Sequence, residues 1–327
     1  MSVSDGDAVS VPPVSGLVDW HELLTNGAPD PEWLLEPLLP LGRLVSVVAG
    51  AKTGKSLLLL EAGLALATGR PFLDTPKGEP KRVLYLDYEM TENDLAERVE
   101  DMGYGLEEQA LLSENFAYYL SPNLPALNTA AGATQLLALA DYHEPDLLIV
   151  DTLSRVFEGD ENGAEAFQKL YRLAWMPLKQ RGVTVVRADH TGHNESGRGR
   201  GSSAKGDDVD VAWTLKKSDA GVRIECKAAR VSWVPKRFDL IRSDDGTAPI
   251  HRMAAARGWL PGTAEWVDLL NEIDAPADLG ERKLRQWLNE PGRLAATGKD
   301  KPPRGNVLTA AIRLRNNDAG AAPDAVK

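Results

Sequence analysis

At 327 residues and 43% hydrophobic content, the chain is long enough for one large domain, or for a medium domain with a small companion. A net charge of −11 argues against a protein that coats nucleic acid indiscriminately, but leaves room for a local basic groove. The single cysteine, Cys226, excludes an intramolecular disulfide and a cysteine-only zinc site. No apolar run approaches the ~20 residues of a membrane span, and the acidic start lacks a signal-peptide pattern. A cytoplasmic protein with no membrane contact is therefore expected.

Residues 1 to about 16 are Ser, Asp, Val and Pro without periodicity and read as a disordered tail. Trp20 to Leu24 has the makings of a short docking helix. The stretch from Pro31 to Gly42 leads into the first strand. Its apolar residues are expected either to cover one edge of the site that follows or simply to pack in the core. Next comes Val45-Ser46-Val47-Val48-Ala49-Gly50-Ala51-Lys52-Thr53-Gly54-Lys55-Ser56, followed by the helical run Leu57 to Ala62. Strand, Gly-bearing loop, Lys-Ser and helix is the order a phosphate-binding loop requires. Loop N–H groups at Gly50, Ala51, Lys52, Thr53 and Gly54 can point at phosphates, with Lys55 neutralising them and the Ser56 hydroxyl ligating Mg²⁺. Ala49 stands where the usual pattern has its first Gly, and Gly50 can supply the missing backbone freedom.

The helix is expected to run from Ser56 to Thr68 and to stop at Gly69 and Pro71. Arg82 to Asp87 reads as a buried strand, with Tyr88-Glu89-Met90 just past its end and a helix beginning at Thr91. Phe116 to Leu120 is a third strand and Thr129 to Tyr142 a helix. Asp146 to Asp151 is a fourth strand, Ala164 to Gln180 a helix, and Val183 to Ala188 a fifth strand. Short apolar strands alternating with helices imply a parallel, twisted sheet covered on both faces. Beyond a polar Gly/Ser/Arg stretch, Asp210 to Lys217, Val222 to Ala228 and Arg237 to Ile241 read as antiparallel strands. Helical pieces are expected at Thr263 to Ile273, Glu281 to Asn289 and Asn306 to Arg315. The domain reading is a tail with a docking segment (1–29), an α/β core (30–246), a small helical basic module (247–316) and a disordered tail (317–327).

Four polar features fall at strand carboxyl ends, where open α/β sheets bind ligands. They are the phosphate loop, Glu89, Asp151 and Asp189-His190. Asp151, after Leu-Leu-Ile-Val and 96 residues after Lys55, is the expected second acid that holds Mg²⁺ through water. Glu89 is placed to orient and polarise an attacking water, or else caps a helix. His190 either reports the γ-phosphate to the segment after it or is a satisfied structural histidine. Metal ligation by His190 and His193 lacks cysteine or third-histidine support.

These residues resemble the RecA-like ATPases of the plasmid replicative helicase RepA and its relatives, a group related to DnaB-type hexameric helicases. The matching pieces are Trp33-Leu34-Leu35, Ala49 to Ser56, Asp87-Tyr88-Glu89-Met90, Leu148 to Arg155, Asp189-His190-Thr191-Gly192 and Arg200 to Ala204. The resemblance spans about residues 30 to 243. It implies a RecA-like P-loop NTPase core, ATP with Mg²⁺, a hexameric ring, Glu89 as catalytic glutamate, and a loop after His190 facing single-stranded DNA. It also implies a Lys/Arg pair acting on the neighbouring subunit's nucleotide. Lys227 and Arg230 are the nearest candidates, spaced one residue wider than the family's pattern. The resemblance includes no N-terminal collar domain of the DnaB kind.

Arg198, Arg200 and Lys205 suit contacts to a DNA backbone, on a loop with no aromatic for base stacking; the alternative is a plain solvated loop. From Arg282 to Arg315, nine cations face only Glu290 and Asp300. That segment is expected to contact duplex DNA or a replication partner, or else to be a solvated appendage or subunit contact. The resulting expectation is an ATP-hydrolysing motor on single-stranded DNA, most simply a hexameric replicative helicase of phage or plasmid type. The rivals are a non-translocating regulatory DNA-binding ATPase and a recombinase-type filament.

Overall fold

The short apolar runs ending at Asp87, Leu120 and Asp151 are strands. The computed structural model describes residues 17–27, 30–73, 75–159, 164–190, 208–218, 221–242, 251–253, 263–303 and 305–320. The chain divides into two compact units, Met1–Pro31 and Glu32–Lys327. In the first, helix α1 (Trp20–Asn26) is capped by Asp19, whose side chain accepts from the Glu22 N–H at 3.0 Å, and none of its residues is buried.

The second unit begins with a two-stranded hairpin, β1 (Trp33–Leu35) and β2 (Leu39–Pro40), around a cis Glu36–Pro37 bond. Leu35, Leu38 and Leu39 are buried in the core, so core packing is the role these apolar residues take. There follow β3 (Leu44–Ala49), α2 (Lys55–Thr68), β4 (Val83–Asp87), α3 (Glu92–Asp101), α4 (Gln109–Asn115) and β5 (Phe116–Leu120). Next come α5 (Ala130–His143), β6 (Leu147–Asp151), α6 (Ala164–Leu170), a π-helical turn (Tyr171–Trp175), α7 (Met176–Gln180) and β7 (Thr184–His190). The expected single helix from Ala164 to Gln180 is thus one rod with a π segment in its middle.

Then follow β8 (Val211–Ser218), β9 (Gly221–Ala229), β10 (Arg237–Arg242) and β11 (His251–Met253). All nine strands from β3 onward form one sheet in the order β11-β10-β9-β8-β3-β7-β6-β4-β5. Pairing is parallel from β8 through β5 and antiparallel among β8, β9, β10 and β11. The architecture is α/β, a P-loop NTPase core with an antiparallel extension. Two details differ from the sequence reading. Strand β8 runs antiparallel to β9 but parallel to β3, and β11 carries the sheet past residue 246.

One face of the sheet packs on α2, whose residues are buried from Leu58 to Thr68. The helix ends at Gly69 (φ +70), where an added Cβ would meet the Gly78 carbonyl oxygen at 2.3 Å. The other face packs on α5, α6 and α7 through Leu136, Phe167, Trp175 and Leu178. Burial of both faces explains why β4 and β6 are buried along their whole length.

At the C-terminal end, α8 (Thr263–Glu272), α9 (Glu281–Leu288), α10 (Arg293–Ala296) and α11 (Gly305–Gly320) share a core of their own around Trp266, Leu270, Leu284, Leu288 and Leu308. Helix α11 runs to Gly320, beyond the expected helix end at Arg315. No helix among the described residues is long and apolar enough to cross a membrane.

Candidate nucleotide site

Parallel strands deliver their carboxyl ends to one edge of the sheet, and the polar residues singled out in the sequence gather there. β3 ends at Ala49 and the chain turns through residues 50–54 into α2. Lys52 (φ 58) and Gly54 (φ 100) both take left-handed backbone. A side chain normally costs about 1–2 kcal/mol in that conformation, so the loop is held in shape at Lys52 rather than relaxed. Thr53 Oγ1 donates to the Gly50 carbonyl at 2.8 Å. Ser56 lies in the first turn of α2, partly buried.

Lys55 is buried and its Nζ lies 2.7 Å from Asp151 Oδ1. The other Asp151 oxygen accepts from the Tyr85 hydroxyl at 3.0 Å. Burial first, and then the neighbouring Asp151 charge, push the Tyr85 hydroxyl well above its ordinary pKa, so it stays a donor. Asp151 therefore has both oxygens engaged while Lys55 rests on it.

β4 lies beside β6, with Asp87 level with Asp151. Past β4 the chain turns at Tyr88, whose N–H donates to the Asp151 carbonyl at 2.8 Å. Glu89 follows, and its Oε1 lies 2.9 Å from His190 Nε2, with both side chains partly exposed. The link reaches from the end of β4 over β6 to the end of β7. Glu89 is not the cap of the next helix. Thr91 caps α3, accepting from Asp94 N–H while Asp94 accepts from the Thr91 N–H.

Lys227 and Arg230 lie elsewhere. β9 runs opposite to β3, so Ala229 is level with Val211 and Val45, while Ile224 is level with Leu215 and Ala49. Five residues at ~3.3 Å each put Arg230 about 17 Å or more along the strand direction from the phosphate loop. Both cations are also engaged: Lys227 Nζ lies 2.7 Å from Glu225 Oε2, and Arg230 NH1 lies 3.9 Å from Asp210 Oδ1. Arg198, Arg200 and Lys205 fall outside the described residues. No group of three or more His, Cys, Asp or Glu suited to a metal occurs among the described residues.

The family model described as an AAA domain matches residues 11–196, more than half of the chain. The chain belongs to this family of P-loop ATPases. No curated protein matches it. The AAA domain is an ATPase domain of P-loop type, and the matched span includes the loop from Ala49 to Ser56. The matched span holds Lys55, Glu89, Asp151 and His190 and ends six residues after His190. Lys227, Arg230 and the C-terminal helices lie beyond it.

Several residues near this edge of the sheet have no role of their own in the sequence reading. Tyr85 and Asp87 share a face of β4, as alternation in Val-Leu-Tyr-Leu-Asp requires. A tyrosine and an acid on one face of an otherwise apolar strand were the available signal. Arg187, fully buried in β7, lies 3.2 Å from Asp189 Oδ2 and donates to Asp208 Oδ2 at 3.0 Å. Burial pushes the Asp208 carboxyl up against the pull of Arg187. In the C-terminal helices, Arg285 pairs with Glu281, Arg293 with Glu290, and Arg315 with Asn271 and the Ala275 carbonyl. Between residues 263 and 320 nine Asp/Glu stand against nine Lys/Arg, so the basic run folds together with an acidic helix.

Proposed function

We propose that the protein is a RecA-like motor that couples ATP hydrolysis to movement on single-stranded DNA, working as a hexameric replicative helicase of the RepA kind. The observation that carries this reading is the Glu89–His190 contact at the carboxyl edge, beside the Lys55–Asp151 pair. One group is placed to handle water, and its partner begins the segment that holds Arg198, Arg200 and Lys205.

In this reading the loop N–H groups and Lys55 take the β- and γ-phosphates. The residues present fit Mg²⁺, a cation commonly held by one carboxylate and a hydroxyl together with phosphate oxygens. Ser56 would hold it directly and Asp151 through water, and it would neutralise charge on the phosphates. Phosphates draw Lys55 away from Asp151 and free that carboxylate, which the Tyr85 hydroxyl keeps oriented. Glu89 orients water and accepts its proton. His190, bonded to Glu89, transmits the state of the site to the chain that follows it. Lys227 and Arg230, on and after a strand that runs away from the phosphate-loop edge, act only on a neighbour's nucleotide.

The test is the ATPase rate with and without single-stranded DNA, with mass in solution and strand unwinding measured alongside. DNA-stimulated turnover, unwinding and a hexamer mass are expected. Replacing Arg198, Arg200 and Lys205 by Ala should weaken DNA binding and flatten its salt dependence, because each phosphate contact releases counterions. ATPase activity without unwinding would favour a regulatory switch, and an open-ended assembly would favour a filament.

A further inference from the structure

Asp87 is wholly buried at the carboxyl end of β4, between the strand that bears Asp151 and the strand that bears Tyr118. Among the described residues, none of its side-chain hydrogen bonds goes to the phosphate loop. Its Oδ1 accepts from the N–H of Glu89 at 2.8 Å and from the N–H of Met90 at 3.1 Å. Its Oδ2 accepts a short hydrogen bond from the Tyr118 hydroxyl. Tyr118 in turn stacks on Tyr85, with ring centroids 4.7 Å apart and planes at 25°. Tyr85 donates to Asp151. Two Tyr–Asp pairs thus stand side by side at the edge of the sheet, one holding the acid beside Lys55 and the other holding the turn that carries Glu89.

We propose that Asp87, braced by Tyr118, is a positioning residue that fixes the Glu89 turn for hydrolysis. The inference rests on the reading of Glu89 as the group that orients water. Glu89 is held at two points: its backbone by Asp87 and its carboxylate by His190. Without Asp87, Glu89 would keep only its His190 contact and the hydrogen bond of the preceding Tyr88 N–H to the Asp151 carbonyl. Displacing a reacting group by about 1 Å costs on the order of 10²-fold in rate. Burial, then the hydrogen bond to Asp87, push the Tyr118 hydroxyl far above its ordinary pKa, so it remains a donor. With its hydroxyl fixed as a donor, Tyr118 leaves Asp87 one oxygen for the two backbone N–H groups.

The experiment measures steady-state ATPase kinetics and equilibrium binding of a fluorescent ATP analogue for the full chain and four variants. Asp87→Ala should lower kcat by roughly 10²-fold with analogue affinity unchanged. Asp87→Asn should recover most of that loss, because the amide oxygen can accept both N–H groups while its NH₂ donates to the Tyr118 oxygen. Tyr118→Phe should fall between wild type and Asp87→Ala, again in kcat alone. If Asp87→Ala does not fold, the Tyr118→Phe result decides. Wild-type kcat in Tyr118→Phe or in a folded Asp87→Ala overturns the proposal. So does an equal fall in affinity and turnover, or an Asn variant as slow as Ala. The fourth variant, Glu89→Gln, separates the two levels. Full turnover in Glu89→Gln removes the reading of Glu89 and this inference with it. A dead Glu89→Gln beside a normal Asp87→Ala removes this inference alone.

Discussion

The sheet has two halves that were built differently. From β3 to β5 every strand points the same way, so Ala49, Asp87, Asp151 and His190 all end at one edge. From β9 to β11 direction alternates, and the end of β9 brings Arg230 to the opposite edge, with Lys227 level with the middle of β3. The AAA-domain match covers the first half and stops before the second. Direction of pairing, more than residue type, decides which side chains can share a site within one subunit. Strand β8 is the hinge between the halves. Parallel to β3, it takes Lys216 and Lys217 to the phosphate-loop edge, with Lys216 Nζ 2.9 Å from Glu225 Oε2.

The strongest way to break the comparison is Lys55→Ala. It removes the fixed charge over the phosphates and leaves the buried Asp151 without its cation. ATP binding and hydrolysis should both be nearly abolished. Loss of one partner of a buried pair costs about 3–5 kcal/mol, so a thermal melt must accompany the assay. Near-normal turnover in a folded Lys55→Ala would mean the first half does not house the site.

The second half is tested by Arg230→Ala and Lys227→Ala. A cation supplied from a neighbour is worth roughly 10³–10⁵ in rate where measured. One of the two variants should bind ATP yet hydrolyse it very slowly. Mixed with Glu89→Gln after subunit exchange, it should regain some activity, since a mixed interface pairs an intact Glu89 with an intact cation. Wild-type rates in both single variants would sharpen the comparison differently: the cation would then be sought at Lys216 and Lys217, on the phosphate-loop edge itself.

Much of the first half was legible because burial on both faces writes β4 and β6 as apolar runs closed by an acid, and β7 as one closed by Asp189 and His190. β5 ran from Phe116 to Leu120 as expected, and β6 lacked only Asp146. What escaped was non-local or short. The hairpin between β8 and β9 is written in adjacent residues, but the parallel pairing of β8 with β3 joins residues more than 160 positions apart. β11 is His-Arg-Met, with no apolar run to announce it. The π turn at Tyr171–Trp175 shifts the period for five residues only, too few to read. At the carboxyl edge, the gathering of Lys55, Glu89, Asp151 and His190 follows from their positions relative to the strands. Tyr118 could not, because its link to Asp87 crosses from β5 to β4 and depends on register. The C-terminal cations read as a bare basic surface because the run from Arg282 begins just after most of the acids, those of α8, the turn after it and Glu281.

The most direct test of the central claim is Glu89→Gln, assayed for ATP binding and turnover on the same preparation. The substitution keeps the shape of the side chain and removes its basicity. ATP binding should be intact and turnover lower by roughly 10²-fold or more, the scale of a lost general base. Normal hydrolysis by Glu89→Gln would contradict the account, since Glu89 would then be only a partner of His190 and another carboxylate would have to handle the water.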